Sequence, residues 1–440
     1  MAAAPVCEDG SMAAKRLSKQ PKANNTKQES SFQAEDRPAT LTGAAAITRR
    51  AADRLRAGHV WVYRSDVTAV PENASGLLAV ADPRGALLGT ALYSPSSEIA
   101  LRLISRETIA SEAAWLELLQ ARMRAAIAAR RNVLSSADTN ACRLIFSEAD
   151  ALPGLIADKY GDLIVLQLLT KALDNDAVRI VATNVLKEEL HPAVIVERPD
   201  ARIREIEQLS VPLDAAPLYV RDELELQTRF LLNGLNFHYD AAAGQKTGAF
   251  LDQRENYAAA ARYAHGDALD VCTYQGGFAL HLARACPRVT GIDVSRTALE
   301  VAEKNLAANQ SALKAEVDWI EANAFDLLRD WSLSGAEYDT IVLDPPAFAK
   351  SKRAVEGALR GYKELNLRAL KMLRPGGILV TCSCSHHVSL ADFNAVVAAA
   401  AGDAGRRTRL IERRGAASDH PVILTIPETE YLKCLICYVE

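Results

Sequence analysis

Hydrophobic and polar positions follow two alternating patterns from about residue 255 to the C-terminus. Short apolar runs are typical of buried strands, and apolar residues spaced by three and four positions predict helices. The strands are expected within "ALDVCTY", "RVTGIDVS", "YDTIVLDPP" and "GGILVTCSC". The helices are expected over 277–285, 296–309, 356–373 and 389–401. This alternation predicts an α/β fold with a Rossmann-like, mostly parallel, doubly wound sheet.

The pattern before residue 255 predicts further domains. Short alternating runs broken by Gly, Pro and Asp indicate a small β domain, and helical spacing over 112–134 and 176–190 between apolar runs indicates a compact α+β domain. "LLNGLNFHYD" (231–240) is typical of a hairpin. The first residues show no periodicity and are rich in Ala, Ser, Lys, Gln and Asn, which favours disorder. We therefore expect a tail over 1–40, the β domain over 41–110, the α+β domain over 111–220, and the last domain, with its hairpin, over 221–440.

Composition narrows the class of protein. The chain has 440 residues with 49% hydrophobic residues, 24% charged residues and a net charge of −4. It contains no apolar run of about 18 residues and no apolar signal core near its start, so we expect a cytoplasmic protein with no membrane span. The eight cysteines are too scattered for a disulfide framework, and their C-x-C and C-x-x-C pairs lack turn glycines, so no metal site is expected.

Two features near the start of the predicted sheet suggest a cofactor site. "LDVCTYQGGFALHLA" (269–283) carries Gly276 and Gly277, which allow close backbone approach after a strand. Asp293 lies 23 positions beyond Asp270, a spacing typical of an acidic residue that binds ribose hydroxyls. A plain turn and a helix cap are the alternatives. The loop lacks the G-x-G-x-x-G pattern of dinucleotide sites. The glycines and Asp293 together therefore favour an adenosine ligand without a pyrophosphate, such as S-adenosylmethionine (SAM).

The stretch "IVLDPPAFAKSK" (341–352) suggests a site for a nucleic-acid base. Two prolines end the strand and stiffen the loop that carries Asp344. Phe348 offers a surface on which a base can stack, and Lys350 and Lys352 bring positive charge suited to phosphates. A rigid turn around a core phenylalanine is the alternative.

The stretch "LVTCSCSHHVS" (379–389) places two thiols where an apolar run ends. Cys382 falls within the predicted strand and is expected to pack, whereas Cys384 follows it. Neighbouring strands lie about 4.8 Å apart, so Asp344 and Cys384 are expected to converge on one pocket. A thiolate that adds to C6 of a pyrimidine activates C5 for methylation, and a carboxyl group at N3 favours that addition. We therefore expect Cys384 as the nucleophile with Asp344 beside it; a role for His386 or His387 stays open.

The chain resembles, over roughly 41–440, the bacterial class I SAM-dependent large-subunit ribosomal RNA cytosine-5 methyltransferases that carry an N-terminal PUA domain. The resemblance rests on "RLRAGHVWVYRSDV", "DALPGLIADKYGD", "KTGAFLDQREN", "TYQGGFALHLA", "DPPAFAKSK", "GYKELNLRALKMLRPGG" and "SCS", in this order. It implies that ribosomal RNA is the partner, that the PUA domain binds RNA, and that Cys384 is the nucleophile. The cofactor residues implied by the resemblance are Phe250, Asp252, Gly276, Asp293, Asn323, Asp326 and Asp344. Tyr274 and Gly277 of the glycine loop are expected to bind the cofactor as well.

Two other functions fit part of this pattern. An RNA N-methyltransferase acting on guanine N2 or adenine N6 can use D-P-P-F without a covalent step, and Cys384 is the discriminating residue. A catalytically inactive RNA-binding protein is the second alternative, against which the glycine loop and Asp293 argue. The sequence leaves open the target nucleotide, the choice between naked RNA and an assembled subunit, the base that removes the C5 proton, and the oligomeric state, a homodimer included.

Overall fold

A computed structural model describes residues 43–72, 74–210, 215–242, 249–349 and 351–440. The predicted disordered tail over 1–40 lies outside these residues. The described part contains no helix that is both long and apolar enough to cross a membrane. It also contains no group of three or more His, Cys, Asp or Glu side chains placed to hold a metal ion.

The first sheet is small and built from short strands around an alanine-rich and leucine-rich core. Its elements are β1 (Ala44–Ile47), α1 (Arg49–Arg56), β2 (Trp61–Tyr63), β3 (Val67–Ala69), β4 (Leu77–Ala81), β5 (Leu87–Tyr93) and β6 (Ile99–Ser105). The strand order is β2-β6-β5-β4-β1-β3. Buried Asp66 ties α1 to the sheet, because Arg50 and Arg54 donate to its carboxylate at 2.8 and 3.0 Å. This arrangement confirms the predicted small β fold.

The second sheet carries helices and forms the predicted α+β unit. Its elements are α2 (Glu112–Ala129), α3 (Arg131–Leu134), β7 (Ala141–Phe146), β8 (Leu155–Tyr160), β9 (Leu163–Leu168), α4 (Asp176–Leu190), β10 (Val194–Glu197), α5 (Ala201–Glu207) and β11 (Ala216–Val220), in the strand order β11-β10-β9-β8-β7. The predicted helix over 112–134 is interrupted at Arg130. Its buried guanidinium binds Asp150 at 2.6 and 2.8 Å, a tertiary contact that the helical pattern does not reveal.

The third sheet confirms the predicted Rossmann-like arrangement. A hairpin of β12 (Gln227–Leu232) and β13 (Leu235–Asp240) precedes it. Its strands are β14 (Asp267–Val271), β15 (Arg288–Asp293), β16 (Glu316–Glu321), β17 (Tyr338–Leu343), β18 (Leu373–Ser383), β19 (Thr408–Arg414) and β20 (Lys433–Val439). Its helices are α6 (Arg254–Tyr263), α7 (Gly277–Leu282), α8 (Arg296–Ala308), α9 (Ala324–Ser334), α10 (Val355–Met372) and α11 (Leu390–Asp403). Helix α7 ends three residues before the predicted 285, because Pro287 follows and cannot continue a helix.

The strand order is β16-β15-β14-β17-β18-β20-β19. Strands β15 and β16 are added on one side of β14 and the later strands on its other side, so the switch point of this doubly wound sheet lies beside β14. Five strands run parallel, and β20 pairs antiparallel with both β18 and β19. The carboxyl ends of β14, β15, β17 and β18 therefore meet at one edge. Of the site residues expected from the sequence, Tyr274, Gly276 and Gly277 follow β14, Asp293 ends β15, Asp344 and Phe348 follow β17, and Cys384 follows β18.

Candidate active site

A pocket of about 630 Å³ opens beyond the carboxyl ends of the parallel strands. This volume is typical of a small-molecule site. Of the predicted site residues, the structure brings eight together on its wall: Phe250, Asp252, Tyr274, Asp293, Asn323, Asp344, Phe348 and Cys384. These residues come from segments spread over more than a hundred residues of the chain. Strands β17 and β18 are parallel and pair Leu343 with Thr381, so Asp344 and Cys384 lie at the same edge of the sheet.

The loop after β14 holds an unusual backbone conformation. Cys272 and Tyr274 have φ values of 64° and 53°, which L-residues with side chains rarely adopt. The conformation is held by Asp270, whose carboxylate accepts hydrogen bonds from the Thr273 hydroxyl at 2.5 Å and the Ala279 N–H at 2.8 Å. Burial raises the pKa of Asp270 to about 7. Strained positions held from several sides are common at functional sites.

Asp293 is fixed by the same loop. Its Oδ2 accepts a hydrogen bond from the Tyr274 N–H and its Oδ1 accepts one from the Ser295 N–H, both at 2.9 Å. Each carboxylate oxygen can accept a further hydrogen bond. The neighbouring Val294 is 72% exposed although apolar, and it lines the pocket. An oriented carboxylate beside an apolar surface suits a ribose that carries a flat base.

The two glycines of the loop serve the packing of the protein itself. Gly276 has a φ of 82°, and a Cβ added there would lie 2.9 Å from Cη2 of Trp319. A Cβ on Gly277 would lie 2.5 Å from Cζ and Oη of Tyr257. Neither glycine lines the 630 Å³ pocket, although Gly277 lines a much smaller cavity beside it. Their role in cofactor binding stays a prediction.

Gly277→Ala is expected to destabilise the protein by about 1–3 kcal/mol, because the new methyl group overlaps a buried tyrosine ring. Gly357→Ala is the matched control, since its Cβ would meet only the end of Arg360 at 3.8 Å on helix α10. That change should stabilise the helix by up to about 1 kcal/mol. Chemical unfolding of both variants measures the difference, and equal stability of the two would contradict the packing role.

Asp344 is oriented by a residue that the sequence analysis missed. Gln253 is buried, and its Nε2 donates a hydrogen bond of 2.9 Å to Oδ1 of Asp344. Its own Oε1 accepts from Nδ2 of Asn256 at 2.7 Å, which fixes the amide. Gln253 lies in "FLDQREN" between predicted site residues, so its neighbourhood in the sequence was the available signal.

The two thiols of the C-S-C stretch occupy different environments. Cys382 lies inside β18 opposite Cys434 and is fully buried, and burial raises the pKa of its thiol well above the usual range. Cys384 follows the strand, is half-buried and lines the pocket, where its Sγ lies 3.9 Å from the carbonyl oxygen of Pro345. Cys382, inside the strand, is therefore a packed thiol, and Cys384, just after the strand, is an accessible one, as the sequence analysis predicted.

Aromatic side chains form one wall of the pocket. The ring of Phe348 lies 5.8 Å from that of Phe325 and 4.8 Å from that of Tyr362. Phe325 is 37% exposed and was not predicted as a site residue. Tyr431, also missed, donates a 2.6 Å hydrogen bond to Oδ2 of Asp252, and its ring lies 5.3 Å from that of His386. His386 lines the pocket, and His387 does not.

Besides Gly276 and Gly277, two predicted residues of the described chain, Asp326 and Lys352, do not line this pocket. Asp326 is exposed in the first turn of α9 and forms a 3.2 Å ion pair with Arg329, while Asn323 at the helix cap does reach the pocket wall. Lys352 is exposed in the turn Lys352–Ala354. Lys350 lies outside the described residues. Their assigned roles stay predictions.

A doubly wound sheet with an oriented acidic residue at the end of its second strand and a pocket at its switch point occurs in dinucleotide-binding domains and in class I methyltransferases. The glycine loop without G-x-G-x-x-G favours the methyltransferase class. Comparison with known proteins agrees with this class. The chain matches the S-adenosylmethionine-dependent methyltransferase family over residues 179–423 and a PUA-like domain family over residues 46–106.

Curated relatives match nearly the whole chain. It is 36% identical over 391 residues to the ribosomal RNA large subunit methyltransferase I of Pseudoalteromonas translucida, and 35% identical over 398 residues to that of Photobacterium profundum. Each alignment covers 88% of this chain and 96% of the relative. The protein thus belongs to the S-adenosylmethionine-dependent methyltransferase family.

Solved structures show the same fold. A methyltransferase in complex with SAH superposes with a TM-score of 0.76 at 20% identity, covering 90% of this chain and 99% of that one. A SAM-dependent methyltransferase from Streptococcus mutans gives a TM-score of 0.75 at 19% identity with the same coverage. The predicted fold class, with a PUA-like domain before a methyltransferase domain, is confirmed.

The residues of the pocket fit S-adenosylmethionine, which the family uses as its cofactor. Asp293 presents acceptors for a ribose diol, and Val294 and Ile292 supply apolar surface beside it. We expect Asp293 to hold the ribose, with Phe250, Asp252, Tyr274 and Asn323 as further cofactor contacts. SAM supplies an activated methyl group on a sulfonium.

Proposed function

We propose that the protein methylates C5 of a cytosine in large-subunit ribosomal RNA, with Cys384 as a covalent nucleophile. The observation that carries this proposal is the position of Cys384, a half-buried thiol on the wall of the same pocket as Asp344 and Asp293. A methyl transfer to an exocyclic amine needs no thiol at this place. Transfer to the unreactive C5 carbon does, because C5 becomes nucleophilic only after addition to C6.

The proposed chemistry assigns each step to a residue. Cys384 Sγ forms a bond to C6, and the electrons of the C5–C6 double bond are then available at C5. C5 takes the methyl group as its bond to the sulfonium sulfur breaks, which leaves a neutral thioether. Loss of the C5 proton and release of Cys384 restore the aromatic ring and the thiolate. Asp344, which Gln253 orients, is assigned the binding of N3 of the base, which would favour the addition.

The aromatic wall supports the binding of an extruded base. Phe348 and Phe325 offer ring faces at the edge of the pocket, and a base taken out of its stack is held in such enzymes by aromatic side chains. We assign base stacking to Phe348, and phosphate contacts to Lys350 and Lys352. The backbone of RNA passing this loop would meet their positive charge.

Ribosomal RNA is proposed as the substrate because the curated relatives carry that substrate in their names. The PUA-like sheet of residues 41–110 is proposed to bind RNA, and residues 111–220 to connect it to the catalytic domain over 221–440. A protein with this substrate would act in the cytoplasm.

An N-methyltransferase acting on guanine or adenine of RNA is the second candidate. Asp344 favours it, since a carboxylate behind a rigid Pro345–Pro346 loop can accept a hydrogen bond from an exocyclic amine. This reading gives no role to the thiol of Cys384. An inactive RNA-binding protein is disfavoured, because the pocket with its oriented Asp293 is intact.

Mass mapping of ribosomal RNA tests the proposal. We expect RNA from a strain that lacks the gene to lose one methyl group from a cytidine of the large-subunit RNA, and the wild-type gene to restore it. Loss of methyl from a guanine or adenine would support the second candidate. An unchanged methylation map of the large-subunit RNA would contradict both.

A further inference from the structure

A buried lysine lies beside the loop that carries Cys384. Lys433 begins β20, is paired with Ser383 at the end of β18, and is 5% exposed. Its Nζ donates one hydrogen bond to the carbonyl oxygen of Ser385 and another to that of Tyr431, both at 2.7 Å. The ammonium group is therefore held against the residue that follows Cys384.

Among the described residues, no carboxylate oxygen forms an ion pair with the Lys433 ammonium group within 4.0 Å. Burial of an unpaired ammonium is unfavourable, and carbonyl oxygens compensate it only in part. Burial accordingly lowers the pKa of Lys433 to about 8, and the charge of Cys384 acts in the opposite direction. A thiolate at Cys384 would supply a negative charge that stabilises this buried ammonium group.

Other titratable groups also face this thiol and lysine. Glu430 acts on Lys433, the phenolic groups of Tyr362 and Tyr431 interact with Cys384, and Asp344 lines the same pocket. His386 stands close to Lys433, to His387 and to Glu428. Both phenols have pKa values raised above the usual range, mainly by burial, so they are neutral near pH 7. Asp344 disfavours a thiolate, which leaves Lys433 as a buried cation that favours one.

We propose that Lys433 is a positioning residue for the nucleophile: its ammonium group fixes the Cys384–Ser385 backbone through the Ser385 carbonyl and stabilises the Cys384 thiolate. This inference rests on the proposed role of Cys384 in methyl transfer. It assigns no proton transfer to Lys433, which acts on the base only through the thiol.

Alkylation of the full-length protein by iodoacetamide, without RNA, tests the inference. The rate at Cys384 is followed by peptide mass mapping between pH 6 and pH 9, roughly the range over which perturbed thiols titrate. We expect Lys433→Met to move the rate profile of Cys384 upward by about one pH unit, so that alkylation at pH 7 slows about tenfold. Lys433→Arg, which keeps a positive charge, is expected to restore part of the rate.

Lys363→Met is the matched control, because Lys363 is an exposed lysine of helix α10 that pairs with Asp403 at 2.7 Å. It should leave the profile unchanged. Circular dichroism and SAM affinity report whether Lys433→Met is folded. An unchanged Cys384 profile in folded Lys433→Met would overturn the inference.

The wild-type profile provides a second measurement that needs no variant. The inference requires a Cys384 pKa below the ordinary thiol value of about 8.5, and a higher value would overturn it. Because no RNA is present, failure here is distinguishable from failure of the proposed function, which the methylation map tests. If the Cys384 thiolate depends on Lys433 but the protein methylates no cytosine, the proposed function is contradicted and the interaction between Lys433 and Cys384 is still supported.

Discussion

Cys384→Ala is expected to abolish methyl transfer while leaving SAM affinity unchanged. The reason is that the thiol is needed only for addition to the base, whereas Asp293, which is expected to hold the ribose, ends strand β15. Without that addition, C5 of a cytosine is too weak a nucleophile to attack a methyl sulfonium. Methylation of ribosomal RNA by purified enzyme measures the first property, and calorimetric titration with SAM measures the second.

Cys382→Ala is the matched control, since it removes the same atoms two residues earlier. Cys382 is fully buried in β18, so the change leaves a small cavity that should cost about 1 kcal/mol of stability and retain most activity. Activity that survives in Cys384→Ala and vanishes in Cys382→Ala would reverse the assignment. Activity that survives in both would favour the N-methyltransferase.

Asp293→Ala is expected to weaken SAM binding strongly. The change removes two acceptors for the ribose hydroxyls, each worth about 1–3 kcal/mol when the acceptor is charged. A loss of about 2 kcal/mol or more corresponds to at least about thirtyfold in affinity. It also removes the hydrogen bonds from the Tyr274 and Ser295 N–H groups, which should loosen the strained loop further.

The control for Asp293→Ala is Asp330→Ala. Asp330 is another carboxylate of the same domain, but it is exposed on α9 and pairs with Arg329 at 3.2 Å. Calorimetry should give wild-type affinity for this variant. Equal affinity of both variants would mean that the ribose is bound elsewhere in the protein.

The sequence predicted those features that depend on local pattern and on strand order. The periods of two and 3.6 residues located the strands and helices of the last domain. The expectation that β17 and β18 are parallel neighbours predicted that Asp344 and Cys384 share one pocket. The helix break at Arg130 was not predictable, because it accompanies an ion pair with Asp150 that forms only on folding. The glycine loop was predicted, but its contacts with Trp319 and Tyr257 depend on tertiary packing.

Two residues at the start of the closing segment, one in the pocket wall and one beside the Cys384 loop, were missed for a physical reason. Tyr431 and Lys433 lie in "YLKCLICYVE", whose pattern predicts only a buried strand. The side chain of Tyr431 lines the pocket, and that of Lys433 contacts the loop after Cys384, because β20 lies antiparallel beside β18. This pairing joins segments about fifty residues apart, and no local pattern encodes it. Asp326 does not line the pocket, which the sequence could not show, since spacing alone does not tell which face of α9 a residue occupies; its role in cofactor binding stays a prediction.

Covalent trapping on RNA that contains 5-fluorocytosine tests the central claim most directly. Fluorine at C5 blocks the loss of the C5 proton, so the bond between Cys384 Sγ and C6 persists after methyl transfer. We expect a stable protein–RNA complex that needs SAM, forms with wild type and with Cys382→Ala, and is absent with Cys384→Ala. Peptide mapping should place the RNA on Cys384. Normal methylation of unmodified RNA by an enzyme that gives no such complex would contradict the covalent mechanism.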